Sequence, residues 1–173
     1  MTNDRTMLRK TRSGLVLRVR PASEADEPLV AEFFTHVTAD DLRFRYLSTI
    51  RQVSPEQLRA MVHVNHRETD SFLAFNEDGS LLMAIGTLAC DASLEHAEVA
   101  IVIRSDCKAQ GIGWELLHYI ADVAAARGIK TIESLESREN HAAIEVEEDS
   151  GFAMESVPGD STVVRVVKAL SVA

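Results

Sequence analysis

The chain has 173 residues, 46% of them apolar and 26% charged, with a formal net charge of −9. That length gives one domain of ordinary size, able to bury its apolar surface without disulfides or a structural metal. The acidic balance argues against general nucleic-acid binding, which needs a basic surface, and suits a cationic partner such as an amine or a lysine-bearing protein.

Two cysteines, Cys90 and Cys107, have no CxxC partner and no histidine cluster nearby. Neither a disulfide framework nor a metal site is expected, and a reducing, cytoplasmic setting is. Residues 1–13 carry Arg5, Arg9, Lys10 and Arg12 with no apolar stretch behind them. They predict a flexible N-terminal arm, not a signal peptide, ahead of a single domain over 14–173. No run approaches the ~20 apolar residues that a membrane span needs.

In chain order, Leu15–Arg20 is β-rich and stops at Pro21, a first strand. Ser23, with Asp26 three residues on, predicts the start of a helix reaching about His36. Residues 40–47 are mixed and basic, a short helix or a loop. Ser54-Pro55-Glu56 opens another helix, to about Val64. Ser71–Phe75 and Ser80–Ala89 form a hairpin about the turn at 76–79. His96–Arg104 is the most continuous apolar strand. A helix over 111–127 ends at Gly128, and a strand follows over 129–135. A helix over 139–149 ends at Gly151. Strands over 152–157 and 162–168 flank a Pro158-Gly159 turn. This order predicts an α/β (α+β) fold with a mixed sheet, a central βαβ unit and helices on its faces.

The segment Ile101-Val102-Ile103 through Trp114 joins a buried strand to a helix by a loop of small residues. A helix start offers unpaired N–H groups and the positive end of the helix dipole, which together favour an anion. Ala109, Gly111 and Gly113 would let phosphates approach the backbone, while Lys108 adds charge and Gln110 a neutral donor. The loop has neither GxGxxG nor GKS/T. On these residues alone, an anion site and a tightly packed turn both remain open.

Lys108-Ala109-Gln110-Gly111-Ile112-Gly113 resembles the (Gln/Arg)-x-x-Gly-x-(Gly/Ala) loop of the GNAT superfamily of CoA-dependent N-acyltransferases. Asn140-His141-Ala142-Ala143-Ile144, followed by Val146, Gly151 and Phe152, is similar to a second motif of that superfamily at the same spacing. The resemblance covers about residues 15–168. It implies a mostly antiparallel GNAT sheet and acetyl-CoA as cosubstrate. It also implies that Ile101, Val102 and Ile103 bond the pantetheine arm and that Lys108, Ala109, Gln110, Gly111, Ile112 and Gly113 wrap the pyrophosphate. Asn140 and Ala143 would line the far side of the arm.

Amide formation from a thioester needs a deprotonated amine, a stabilised carbonyl oxygen and a departing thiolate. An amine with a pKa near ~10.4 arrives charged, so a carboxylate base helps. Glu98 starts the central strand among Val99, Ala100 and Ile101, where desolvation would raise its basicity. A backbone N–H of Val102 or Ile103 would polarise the thioester carbonyl. His63 and His66 are second-choice bases, and Trp114 is expected to pack against the sheet.

At position 147 many GNAT members carry a tyrosine that protonates the thiolate. This chain has Glu147, which leaves solvent, a neutral Glu147, or slow turnover. Glu145, Glu148 and Asp149 read as a solvated helix face. Arg43-Phe44-Arg45-Tyr46-Leu47 resembles a stretch in bacterial protein lysine acetyltransferases of the superfamily, which acetylate a lysine on a metabolic enzyme. That implies a protein lysine acceptor. A small amine, and a non-catalytic acyl-CoA sensor, are the other readings. The C-terminal strands could pair between subunits to make a homodimer.

Overall fold

The computed structural model describes residues 5–171, and in it eight strands form one sheet in the order β1-β2-β3-β4-β5-β6-β8-β7. The elements run β1 (Met7–Lys10), β2 (Val16–Pro21), α1 (Glu27–Phe34), α2 (Ala39–Tyr46), α3 (Pro55–Val62), β3 (Thr69–Phe75), β4 (Leu82–Cys90) and β5 (His96–Ile103). Then come α4 (Ile112–Ala126), β6 (Thr131–Ser137), α5 (His141–Asp149), β7 (Ala153–Val157) and β8 (Asp160–Ala169). β5 and β6 are parallel and every other neighbouring pair is antiparallel. The mostly antiparallel sheet around a βαβ unit (β5-α4-β6) is the one the sequence predicts.

Local chemistry sets the helix starts. The Ser54 hydroxyl accepts from the Gln57 N–H at 3.2 Å while the Gln57 side chain accepts from the Ser54 N–H at 2.9 Å. Two orphan donors of α3 are thereby satisfied. Thr38 caps α2 in the same way, accepting from the Asp41 N–H at 3.2 Å, so the ambiguous 40–47 segment is a helix. α1 ends at Phe34, two residues earlier than expected.

Residues 7–10 depart from the expected flexible arm. They pair with β2 from Met7↔Val19 to Lys10↔Val16. Arg9 donates to Glu115 at 2.6 Å and to Asp122 at 3.2 Å, both on α4. Arg9, which read as part of a solvated tail, finds acidic partners that only the folded chain brings near.

The sheet separates two apolar layers. Val30 and Phe33 of α1 and Val62 of α3 pack on Leu73, Ile85 and Val102. On the other face Leu116, Ile120 and Ala124 of α4 pack on Phe72, Ala84, Leu88, Val99 and Ile132. Burial of each large aliphatic chain contributes about 1.5–3 kcal/mol. Gly86 fixes the approach of α4, because a Cβ there would lie 2.4 Å from Ile120 Cδ1. Among the described residues, no helix is long and apolar enough to cross a membrane.

One feature of the sheet positions the site. β5 and β6 pair only over His96↔Thr131, Ala97↔Ile132 and Glu98↔Glu133. Beyond Glu98 the two strands diverge, so the edge of β5 from Val99 to Ile103 faces a cleft, not a neighbouring strand.

Candidate active site

The diverging strands open a cavity of about 390 Å³. Its walls are β5 from Val99 to Ile103, the loop and start of α4, β6 from Ser134 to Glu136, one side of α5, and Asp41, Phe44 and Arg45 of α2.

The ladder fixes which backbone groups of β5 point into it. Arg104 N donates to Met83 O at 2.9 Å and Asp91 N to His96 O at 2.8 Å, with unbroken register between. Even-numbered residues of β5 therefore bond β4, and the polar groups of Val99, Ile101 and Ile103 face the cleft. Ile101 and Ile103 thus turn free backbone groups to the cleft. Val102 does not: its N–H belongs to the β4 ladder and its side chain to the α1–α3 layer, at 4% exposure.

The loop is built for close approach. Gly111 has φ +77° and Ala109 φ +59°, left-handed conformations that turn the chain sharply into α4. The first intrahelical bond of α4 runs from Glu115 N to Gly111 O at 3.1 Å. The N–H groups of Ile112, Gly113 and Trp114 are left at the positive end of the helix dipole. A Cβ on Gly113 would sit 3.1 Å from Ile103 Cδ1, so glycine lets the helix start lie close against β5.

Lys108 is not the free charge expected, since its ammonium lies 2.6 and 2.5 Å from the two carboxylate oxygens of Asp41. Gln110 turns away from the cavity wall, its carbonyl accepting from Ser13 at 3.0 Å. Asn140 and Ala143 line the wall. Trp114 lines the cavity instead of packing on the sheet. Its ring lies between the Arg12 guanidinium, 4.0 Å away, and the His118 ring, 3.6 Å away. Its indole N–H is buried without a protein partner.

Glu98 is exposed and lies outside this cavity, so the expected desolvation is absent. The reason is strand alternation. Ala97 and Val99 face the α4 layer, and Glu98 points to the opposite side, beside Ala89. Ala89 belongs to a second cavity of about 210 Å³, lined also by Arg45, Tyr46 and residues of α3 and β3. Arg45 lines both cavities and donates to Thr87 at 3.3 Å. His63 faces Glu24 and Glu27, and His66 bonds Asp70 at 2.9 Å, so neither reaches the main cavity. Burial pushes the Cys107 thiol up, away from nucleophilic reactivity.

Sequence reasoning left Glu136 unremarked. It sits on β6 opposite Glu147 of α5, the two carboxyls within hydrogen-bond reach of each other in the cavity wall. Ser134 donates to Glu136 at 2.8 Å and Asn140 at 3.2 Å. Burial raises the Glu136 pKa, and burial with the Glu136 charge pushes that of Glu147 up to about 9. A strand residue two past a buried serine and a glutamate flanked by apolar Val146 were the available signals. Glu145, Glu148 and Asp149 are exposed, as expected.

This geometry fits a long ligand with an anionic end and an extended polar arm. The helix start and turn would take phosphates, the free β5 edge an amide-bearing chain, and the orphaned indole N–H an acceptor atom.

Three comparisons bear on the fold and its chemistry. The model of the Acetyltransferase (GNAT) family matches residues 35–152. An acetyltransferase of Pseudomonas aeruginosa is 28% identical over 146 residues, 83% of this chain and 78% of that protein. The crystal structure of the GNAT domain of S. lividans PAT superposes with a TM-score of 0.88 at 22% identity, covering 95% of this chain and 97% of that one. Spermidine N-acetyltransferase from Vibrio cholerae, solved with CoA and spermine, gives 0.73 at 17% identity, covering 90% and 96%. With two thirds of its length matched by the family, a cleft shaped for a phosphate-bearing arm and this fold, the chain belongs to the GNAT family and is an acetyl-CoA-dependent acyltransferase.

Proposed function

We propose that the protein moves the acetyl group of acetyl-CoA to the side-chain amine of a protein lysine, in the cytoplasm, by direct attack on the thioester. The observation that carries this reading is the pair of adjoining cavities, with Arg45 in the wall of both. The larger holds the anion loop and the open β5 edge, and the smaller, walled by α2, α3, β3 and β4, gives an amine a separate approach past Arg45. The stretch Arg43–Leu47 supplies Phe44 and Arg45 to the larger wall, which supports the lysine acceptor suggested by its resemblance.

In this mechanism the N–H groups of Ile112, Gly113 and Trp114 hold the pyrophosphate, and the edge of β5 holds the pantetheine. The N–H of Ile101 or Ile103 stabilises the carbonyl oxygen as charge develops on it. Glu98, solvated beside the smaller cavity, takes the ammonium proton through water, and the free amine attacks.

Calorimetric titration with acetyl-CoA tests the cofactor site: the wild type binds and Gly111→Glu does not. An assay offering a lysine peptide and spermidine at equal concentration tests the acceptor. Turnover of spermidine alone refutes the protein lysine assignment. Glu98→Gln lowers kcat/KM about 10²-fold. Unchanged kcat/KM between pH 6 and 9 removes Glu98 from the mechanism.

A further inference from the structure

We propose that Glu136 and Glu147 form a proton-sharing carboxyl pair in the cavity wall, and that Glu147 gives its proton to the coenzyme sulfur as the thioester breaks. The assignment rests on acetyl-CoA occupying the larger cavity, as proposed above.

The two carboxyls are not equivalent. Glu136 has its oxygens bonded by the Ser134 hydroxyl and the Asn140 amide, and Arg45 favours its charge across the cavity. Glu147 is only 6% exposed, and its Oε2 is buried without a partner. Two carboxyls this close in a dry wall do not both ionise. Ser134 reaches both carboxyls, but the Asn140 amide and Arg45 act on Glu136 alone, so they settle the negative charge there and leave the proton on Glu147. Burial and the neighbouring charge hold Glu147 neutral at pH 7, its pKa pushed up to about 9.

The other titratable groups in the cavity wall do not supply this proton. Asp41 and Lys108 neutralise each other, and the Cys107 thiol is weakened as an acid by burial and by Asp106. Arg45 acts on the pair through Glu136. Glu147 therefore faces the cavity as a neutral O–H donor of matched acidity, the form a departing thiolate requires.

The neutral amine nitrogen forms the C–N bond and then releases its extra proton to solvent, and the C–S bond breaks with its electron pair going to sulfur. The Glu147 O–H breaks and an S–H bond forms, giving CoA as the thiol. The Glu147 carboxylate, now beside a charged Glu136, is strongly driven to recover a proton from solvent as products leave.

The test uses the intact chain and acetyl-CoA, with released CoA measured during slow hydrolysis, in which water replaces the unidentified acceptor but sulfur still departs. Calorimetry on the same samples gives acetyl-CoA affinity. Glu147→Gln is expected to keep affinity within about twofold and lower turnover about 10²-fold. The loss of rate above about pH 9 in the wild type disappears in that variant. Glu136→Gln, which removes the neighbouring charge, moves that limb to lower pH by at least one unit, a shift that a structural role alone does not give. Infrared spectra at pH 7 show a protonated carboxyl band in the wild type that Glu147→Gln lacks. Full turnover in Glu147→Gln, or no such band, overturns the assignment. Failure of the wild type to bind acetyl-CoA overturns the cofactor reading instead, and the infrared band then judges the carboxyl pair by itself.

Discussion

Replacing Glu147 by glutamine should make the protein more stable, and increasingly so as pH rises. In the folded chain Glu147 has its pKa pushed from 4.5 up to about 9. The folded state therefore binds a proton that the unfolded chain has released across that whole range. A raised folded value means the stabilisation is fully present below pH 4.5 and is lost as pH climbs through 9. The slope reaches about 1.4 kcal/mol per pH unit, so about 3 kcal/mol is lost by pH 7. Glu136, also raised, changes in the same direction. Glutamine keeps the shape and a donor but has no proton to lose, and its presence relieves Glu136 too. Denaturant unfolding at a series of pH values from 5 to 9 measures this directly. The stability difference between variant and wild type should widen with pH by a few kcal/mol. A difference that stays constant with pH would refute the placement of two dry carboxyls against each other.

Three other outcomes follow from the geometry. Gly86→Ala puts a methyl 2.4 Å from Ile120 Cδ1 and should cost about 1–3 kcal/mol in denaturant unfolding, as α4 is forced off the sheet. Gly111→Glu should abolish acetyl-CoA binding in calorimetry while the circular dichroism of the fold persists, since strain at φ +77° costs only about 1–2 kcal/mol. Arg127→Met should cost about 3 kcal/mol in thermal or denaturant unfolding. It strips the 2.6 Å ion pair from Asp70, which is 2% exposed and is left with the His66 ring at 2.9 Å.

What the sequence disclosed and what it withheld divide along the distance between partners. The anion loop was legible because Ile101 through Gly113 is one continuous strand, turn and helix start, and each feature follows from its neighbours. The caps at Thr38 and Ser54 were equally local, although the first was not recognised as a helix start. β1 was missed because its acidic partners, Glu115 and Asp122, lie more than a hundred residues away. Glu98 was expected among apolar neighbours, but neighbours in a strand point to the other face. The pairing of Glu136 with Glu147 depends on how α5 returns across the end of β6, which no short stretch of sequence encodes. The indole of Trp114 was assigned to the core by its position at a helix start, yet Arg12 and His118 hold it at the cavity.

The divergence of β5 from β6 also sets how the molecule holds together. Strands β1–β5 and strands β6–β8 are separate ladders joined by three residue pairs at one end, as in a hinge left open. An extended ligand bonding the amides of Ile101 and Ile103 while touching Asn140 and Ala143 would lace the two blocks into one cooperative unit. Coenzyme at a hundredfold excess over its dissociation constant would raise stability by about 2.7 kcal/mol through mass action alone. Amide exchange at Ile101 and Ile103 should slow with it, so that the cosubstrate serves the apoprotein as a removable ninth strand.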